Sequence, residues 1–432
     1  MKRTAMKHLI SWKEKSARKP LLIRGARQVG KTWLMQEFGK NEYEQTVYVN
    51  FERTKMFQAL FKEDFNIERI INALQIFSGI QITPHNTLII FDELQEAEGA
   101  ITALKYFYED APEYQIVSAG SLLGVAMHKR TSFPVGKVEF LDLHPLSFIE
   151  FLMALGQDAL VDLLKSRDWV LVRTFKAKLI HLLRQYYYIG GMPEAVFSFS
   201  LQSNFQDVRE IQKRILISYE QDLSKHAPPE IVPRIRMLWN SIPSQLAKEN
   251  KKFIYGAIKQ GSRAKDYELA LSWLIDCGLV YKINRVSKPG IPLKAYEDSS
   301  AFKLFIHDVG LLAAMGDVDV KTLIDGNIIF TEFKGALTEQ YVLQQLLSIN
   351  EMIVFYWSAE KSSSEIDFVL QHSGRAIPVE VKAEENLQAK SLKSFFQKFS
   401  PSISIRTSMS DFREEGWLIN IPLYAISEIV EG

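Results

Sequence analysis

Gly25-Ala26-Arg27-Gln28-Val29-Gly30-Lys31-Thr32 follows the apolar run Leu21-Leu22-Ile23 and leads into a helical stretch, Lys31 to Phe38. Two glycines five apart, then a lysine and a hydroxyl side chain, between a strand and a helix, form a phosphate-binding loop. The chemistry requires these residue types. Glycines let backbone N–H groups turn inward around a β-phosphate, and the helix N-terminus adds partial positive charge. Lys31 would reach the β- and γ-phosphates, and the Thr32 hydroxyl would ligate Mg²⁺. Gly25, Ala26, Arg27, Gln28, Val29, Gly30, Lys31, Thr32 and Trp33 are therefore the expected nucleotide-binding segment, with ATP and Mg²⁺ as cofactors.

A second element supports the first. Leu88-Ile89-Ile90-Phe91-Asp92-Glu93 is an apolar strand ending in two carboxylates, 61 residues beyond Lys31 at Asp92. Asp92 would hold the metal through water, and Glu93 would orient or deprotonate an attacking water. Hydrolysis is therefore expected, with Lys31 and Glu93 as catalytic residues and Thr32 and Asp92 on the metal. Thr46 to Phe51, Thr87 to Phe91 and Gln115 to Ser118 are further strands, with a helical stretch from Ala100 to Tyr108. Apolar strands separated by helices predict a parallel sheet covered on both faces. Ser118 and Ser121, at the exit of the third of these strands, are candidates for sensing a γ-phosphate. Arg130 reads as part of a solvated basic loop or, in a homo-oligomer, as an arginine finger acting in trans.

Composition narrows the class. Of 432 residues, 47% are hydrophobic and 24% charged, and the formal net charge is +1, which excludes disordered chains and wholly basic nucleic-acid coat proteins. A single cysteine, Cys277, excludes an intramolecular disulfide and a cysteine-based zinc site, and fits a reducing compartment. Neither a signal peptide nor a membrane-spanning run is expected, so the reading is a soluble cytoplasmic protein with no membrane partner.

Beyond residue 150 the patterning changes. Leu152, Leu155, Leu160, Leu163 and Leu164, then Leu179, Leu182, Leu183 and Tyr186, follow helical spacing, broken by Gly190-Gly191-Met192-Pro193. Pro228-Pro229 and Pro233 mark a boundary. Residues 231–300 read as a winged-helix-like module: a recognition helix from Ser262 to Cys277, then strands Leu279 to Val286 and Leu293 to Glu297 joined through Lys288-Pro289-Gly290. Arg263 and Lys265, at the helix start, would meet DNA. The alternative is a helical packing module without a ligand.

Residues 301–432 return to α/β patterning. Glu339 lies in the helical stretch Phe333 to Leu347. Asp367 and Glu380 sit on what should be adjacent antiparallel strands, and Glu380 and Lys382 project from one sheet face. Carboxylates with a lysine are what metal-assisted phosphodiester hydrolysis uses. Glu339, Asp367 and Glu380, with Lys382, are thus the candidate second Mg²⁺ site; Glu380 and Lys382 alone also read as a surface ion pair. Nucleic acid is then the expected partner, with DNA and RNA not distinguished.

Four stretches resemble a known family: Gly25 to Thr32; Phe133 to Leu143 with His144-Pro145-Leu146-Ser147-Phe148-Ile149-Glu150-Phe151; Gly190 to Glu194; and Asp367 to Lys382. The chain is similar to the prokaryotic AAA-type ATPases that pair a P-loop domain with a C-terminal domain of unknown function, itself similar to PD-(D/E)XK restriction-endonuclease-like folds. The resemblance implies that residues 190–193 bring a lid towards the nucleotide. Two departures stand out: Ile366-Asp367 replaces a Pro-Asp pair, and Phe133-Pro134-Val135-Gly136-Lys137-Val138 has no arginine after its glycine.

The expected architecture is α/β: a P-loop NTPase (AAA-like) parallel-sheet core over 1–150, a helical lid over 151–230, the winged-helix-like module over 231–300 and a restriction-endonuclease-like domain over 301–432. The expected function is Mg²⁺-dependent ATP hydrolysis coupled to action on nucleic acid. The alternative is a nucleotide-dependent switch that recruits a protein partner, its C-terminal domain catalytically inactive.

Overall fold

The computed structural model describes residues 1–120, 134, 136–248, 251–324, 331–349, 352–360, 363–385 and 388–430. Packing divides the chain into two units: residues 2–144 with 276–279, and residues 145–275 with 280–432.

The first unit is built on five strands: β1 (Leu21–Arg24), β2 (Gln45–Asn50), β3 (Thr87–Asp92), β4 (Gln115–Ala119) and β5 (Glu139–Asp142). All pair in parallel, in the order β2-β3-β4-β1-β5. Every residue of β3 and β4 is buried, as expected for central strands covered on both faces. Helix Lys31–Glu42 buries Leu34, Met35 and Phe38, helix Ile67–Ser78 buries Ile70, Ile71 and Leu74, and helix Ala100–Asp110 buries Leu104 and Phe107. Phe51, Phe61, Phe91 and Phe107 form one edge-to-face and tilted aromatic group beneath the sheet. Burying each such ring stabilises the unit by roughly 1.5–3 kcal/mol. Strand β5 was not expected, because Glu139-Phe140-Leu141-Asp142 alternates in exposure and buries only Leu141.

The second unit opens with helices, beginning at Phe148–Ala154. The Ser147 side chain accepts from Glu150 N at 3.2 Å, and Glu150 accepts from Ser147 N at 2.9 Å, so each satisfies an orphan amide of that helix start. Helix Lys176–Ile189 ends at Gly190, and Pro193 opens helix Pro193–Gln202 at a position that needs no amide donor. Helix Phe205–His226 follows.

Eight strands form the sheet of this unit: β6 (Val280–Val286), β7 (Glu297–Ile306), β8 (Ile353–Ser358), β9 (Glu365–His372), β10 (Arg375–Val381), β11 (Ile405–Ser408), β12 (Arg413–Glu415) and β13 (Leu418–Pro422). Their order is β12-β13-β11-β10-β9-β8-β6-β7. Strands β8, β9 and β10 run antiparallel in succession, and β10 pairs with β11 in parallel. A parallel pair needs a crossover, which helix Lys390–Phe399 supplies, seating Leu392 and Phe395 against Trp357 and Ile366. Strands β6 and β7 pair as expected, but the second begins at Glu297. Leu293–Tyr296 is instead a 3₁₀ turn after Pro292. The pair is continuous with the larger sheet, because β6 also pairs with β8.

Candidate functional site

The phosphate loop leaves β1 and turns on residues with unusual backbone. Gly25 has φ +146°, and a Cβ there would lie 2.2 Å from the Leu143 carbonyl oxygen. Gly30 caps helix Lys31–Glu42 with φ +95°. Gln28 adopts φ +66° although it is not glycine. Strain of that kind persists where the surroundings over-determine the loop. One brace is Arg3, whose guanidinium donates to the Val29 oxygen at 3.1 Å and the His144 oxygen at 2.6 Å.

Lys31 is 6% exposed. Its ammonium donates to the carbonyl oxygens of Gly25 (2.9 Å) and Ala26 (2.8 Å). Burial pushes its pKa down to about 8, against the opposing pull of Glu93 and Asp92. Among the described residues its hydrogen-bond partners are these two carbonyl oxygens and no carboxylate, which leaves its charge suited to a phosphate. Trp33 is exposed at the helix start.

Asp92 ends β3 buried, and Oδ2 accepts from the Thr32 hydroxyl at 2.7 Å and the Tyr48 hydroxyl at 2.8 Å. Oδ1 accepts from Glu93 N at 3.1 Å. Glu93 follows with φ +51°, and its carboxylate accepts from Gln95 Nε2 at 2.6 Å. Thr32 and Asp92, 60 residues apart, therefore meet as their spacing suggested. This hydroxyl-carboxylate pair beside the loop would hold a Mg²⁺ ion, which would supply charge neutralisation to a nucleotide's phosphates. Ser118 lies on β4 with its hydroxyl buried and without a hydrogen-bond partner among the described residues. Ser121, Arg130, Phe133 and Val135 lie outside the described residues.

Arg3 and Tyr48 were not found from sequence. Arg3 lies in a basic N-terminal stretch with nothing to distinguish it. Tyr48 carried one signal, an aromatic alcohol two residues before the end of a strand.

In the second unit, Glu339 on helix Thr331–Ser348 and Asp367 on β9 belong to a buried charge cluster. Glu339 pairs with Lys251, and its second oxygen lies 3.7 Å from Lys303. Lys303, wholly buried on β7, also pairs with Glu365 at 2.5 Å. Asp367 accepts from Val381 N at 2.7 Å. Burial raises the Asp367 pKa, and the charge on Glu339 raises it further. Burial also acts to raise Glu339, but the ammonium groups of Lys251 and Lys303 outweigh it and hold Glu339 down. Glu380 is raised by burial and pairs with Lys382 at 2.9 Å. Among the described residues no three His, Cys, Asp or Glu side chains are grouped to hold a metal ion. In this arrangement Glu339 and Glu380 each carry lysine partners, and Asp367 is held by a backbone amide. Lys303 is the residue missed here. A lone lysine within Ala301-Phe302-Lys303-Leu304-Phe305-Ile306 was a legible signal of a buried partner.

A second buried node was also missed. Asp308 accepts from Gly191 N (2.6 Å), Leu311 N (2.9 Å) and Gln344 Nε2 (3.1 Å), tying the Gly190-Gly191 break to two helices. Burial raises its pKa to about 6. Arg263 and Lys265 are exposed beside the start of helix Ala264–Asp276.

Residues 17–152 match the family model described as AAA domain. The match takes in the phosphate loop, Asp92 and Glu93. Residues 180–322 match a domain of unknown function (DUF8612), and residues 334–425 match another (DUF4143). No curated protein matches the chain significantly. Among solved structures, the Walker-type ATPase PABY2304 of Pyrococcus abyssi is similar at 14% identity and TM-score 0.44, covering 73% of this chain and 95% of that one. The Orc1 protein of Aeropyrum pernix, in complex with DNA, is similar at 13% identity and TM-score 0.31, covering 74% and 93%. RuvB of Thermotoga maritima is similar at 14% identity and TM-score 0.29, covering 68% and 92%. Outside the AAA domain, no described helix of the chain is long and apolar enough to cross a membrane, and none within it is either.

Proposed function

We propose that the chain binds and hydrolyses ATP with Mg²⁺ and acts on nucleic acid. The observation that carries the ATPase reading is the Thr32–Asp92 hydrogen bond beside a buried, carbonyl-held Lys31. Lys31 would bind phosphate, and Thr32 and Asp92 would hold the ion. The ion supplies charge neutralisation on the phosphate oxygens. Glu93, held by Gln95, would orient water and accept its proton. The nucleic-acid reading is supported by the resemblance of the Asp367 to Lys382 region to restriction-endonuclease-like folds, with which the order helix, β8, β9, β10, helix, β11 is compatible, and by helix Ala264–Asp276 preceding the β6–β7 pair, an order compatible with a winged helix. A cytoplasmic setting accords with the single cysteine, Cys277, which is buried.

A second reading is favoured by Lys251 and Lys303 on the acidic cluster: a nucleotide switch recruiting a protein partner, its C-terminal sheet non-catalytic. Two assays separate these. ATP turnover with and without Mg²⁺ tests the common part, and Glu93→Gln should lower it by roughly 10²–10⁴-fold. Cleavage of plasmid and single-stranded substrates with Mg²⁺ or Mn²⁺, with and without ATP, tests the rest. Cleavage lost in Asp367→Ala supports a nuclease. ATP turnover without cleavage supports the switch.

A further inference from the structure

Among the described residues three donors hold the Asp92 carboxylate, and one of them lies outside the phosphate loop and its partner strand. Tyr48 is on β2, opposite Ile90 of β3, and Asn50 is opposite Asp92. Residues two apart on a strand share a face, so the Tyr48 hydroxyl reaches along the sheet to Asp92. It donates to Oδ2, the same oxygen that accepts from Thr32. Tyr48 is itself fixed: Asn50 Nδ2 donates to its hydroxyl oxygen at 3.4 Å, and Asn50 Oδ1 accepts from Arg53 N at 3.1 Å.

We infer that Tyr48 is a positioning residue for the cation that accompanies the nucleotide: by occupying Oδ2 together with Thr32, it presents Asp92 to that cation through Oδ1 alone. This assignment rests on the ATP-hydrolysing reading above and deepens it. A carboxylate oxygen offers about two acceptor directions. On Oδ2 both are taken, by Thr32 and Tyr48; on Oδ1 the Glu93 amide takes one. Among the described residues one direction is left for the hydration shell of an ion. Thr32 does not do this alone, because its hydroxyl oxygen must also face the ion. Without Tyr48 the carboxylate is held by one hydroxyl and one amide, and its terminal torsion, which is broad, is free to turn.

The test uses the full chain and a fluorescent non-hydrolysable nucleotide, mant-AMPPNP, titrated in EDTA and then across a MgCl₂ series. The wild type binds in EDTA and tightens as Mg²⁺ is added. Tyr48→Phe keeps the EDTA affinity within about twofold and needs about tenfold more Mg²⁺ for half of the tightening, a change equivalent to about 1.4 kcal/mol. An unchanged Mg²⁺ midpoint in Tyr48→Phe overturns the assignment and leaves the nucleotide reading standing. Loss of binding in EDTA as well overturns it too, because Tyr48 then supports the loop rather than the ion. Failure of the wild type to bind mant-AMPPNP under either condition removes the reading beneath.

Discussion

Raising the pH from 7 to 9 will weaken nucleotide binding about tenfold, and Lys31 alone will account for it. Burial pushes its pKa down from 10.5 to about 8, despite Glu93 and Asp92 nearby. The free protein therefore holds Lys31 about nine-tenths protonated at pH 7 and about one-tenth at pH 9. Bound phosphates restore the usual charge, so the bound state has the higher pKa. Binding free energy is complete below the free-state value of about 8. Above it, about 1.36 kcal/mol is lost per pH unit. The assay is mant-AMPPNP affinity in EDTA between pH 6.5 and 9.5. Lys31→Arg is the reference, because its guanidinium does not titrate in this range and the nucleotide's own ionisation cancels between the two proteins. A flat wild-type profile, or an equal slope in Lys31→Arg, would refute the argument. The ligand-free protein carries the converse. Its folded pKa lies below the unfolded 10.5, so stability rises between about pH 8 and 10.5. Lys31→Met will lack that rise in urea unfolding.

Glu93→Gln will keep mant-AMPPNP affinity while steady-state phosphate release falls by roughly 10²–10⁴-fold, the range of a lost general base. Gly25→Ala places a Cβ 2.2 Å from the Leu143 oxygen at φ +146°, so both melting temperature and nucleotide binding should drop. Gly191→Ala meets the Leu146 oxygen at 2.1 Å and should lower stability in urea by more than about 2 kcal/mol. Asp308, raised by burial from 3.8 to about 6, makes folding less favourable as pH rises through that interval. Stability should recover as pH falls from about 6 to 4, and Asp308→Asn should flatten that part of the profile.

The phosphate loop and the Asp92–Glu93 pair were legible because their chemistry is written in short, local spacings. Strands β1, β3 and β4 were legible because central parallel strands are largely apolar, and β2, at the sheet edge, was legible from its β-branched and aromatic residues. Strand β5 was not, since an edge strand with acids at both ends resembles a loop. The β7 start was misplaced: Leu293-Lys294-Ala295-Tyr296 has strand-like spacing, but the chain folds it into a 3₁₀ turn before pairing begins at Glu297. Glu339 and Asp367 were singled out, yet their lysine neighbours were not: Lys251 comes from a segment with no motif of its own, and Lys303, a lone lysine in an apolar run, signals a buried partner without saying which. Tyr48 shows the same limit. Its contact with Asp92 depends on β2 and β3 lying side by side in one register, which no local pattern states.

The phosphate loop sits on the first strand to be synthesised, but its partners are the last two. Leu21 lies opposite Val117 on one side and Glu139 on the other. A nascent chain therefore carries an unwalled loop until β4 and β5 have left the ribosome. Closing contacts over such separations is slow compared with forming local helices. A fragment stopping short of Glu139 would leave one rim of β1 without its β5 ladder, a template for foreign strands. Nucleotide capture by this domain is consequently a report of finished assembly: the loop acquires both walls only when the sheet is complete.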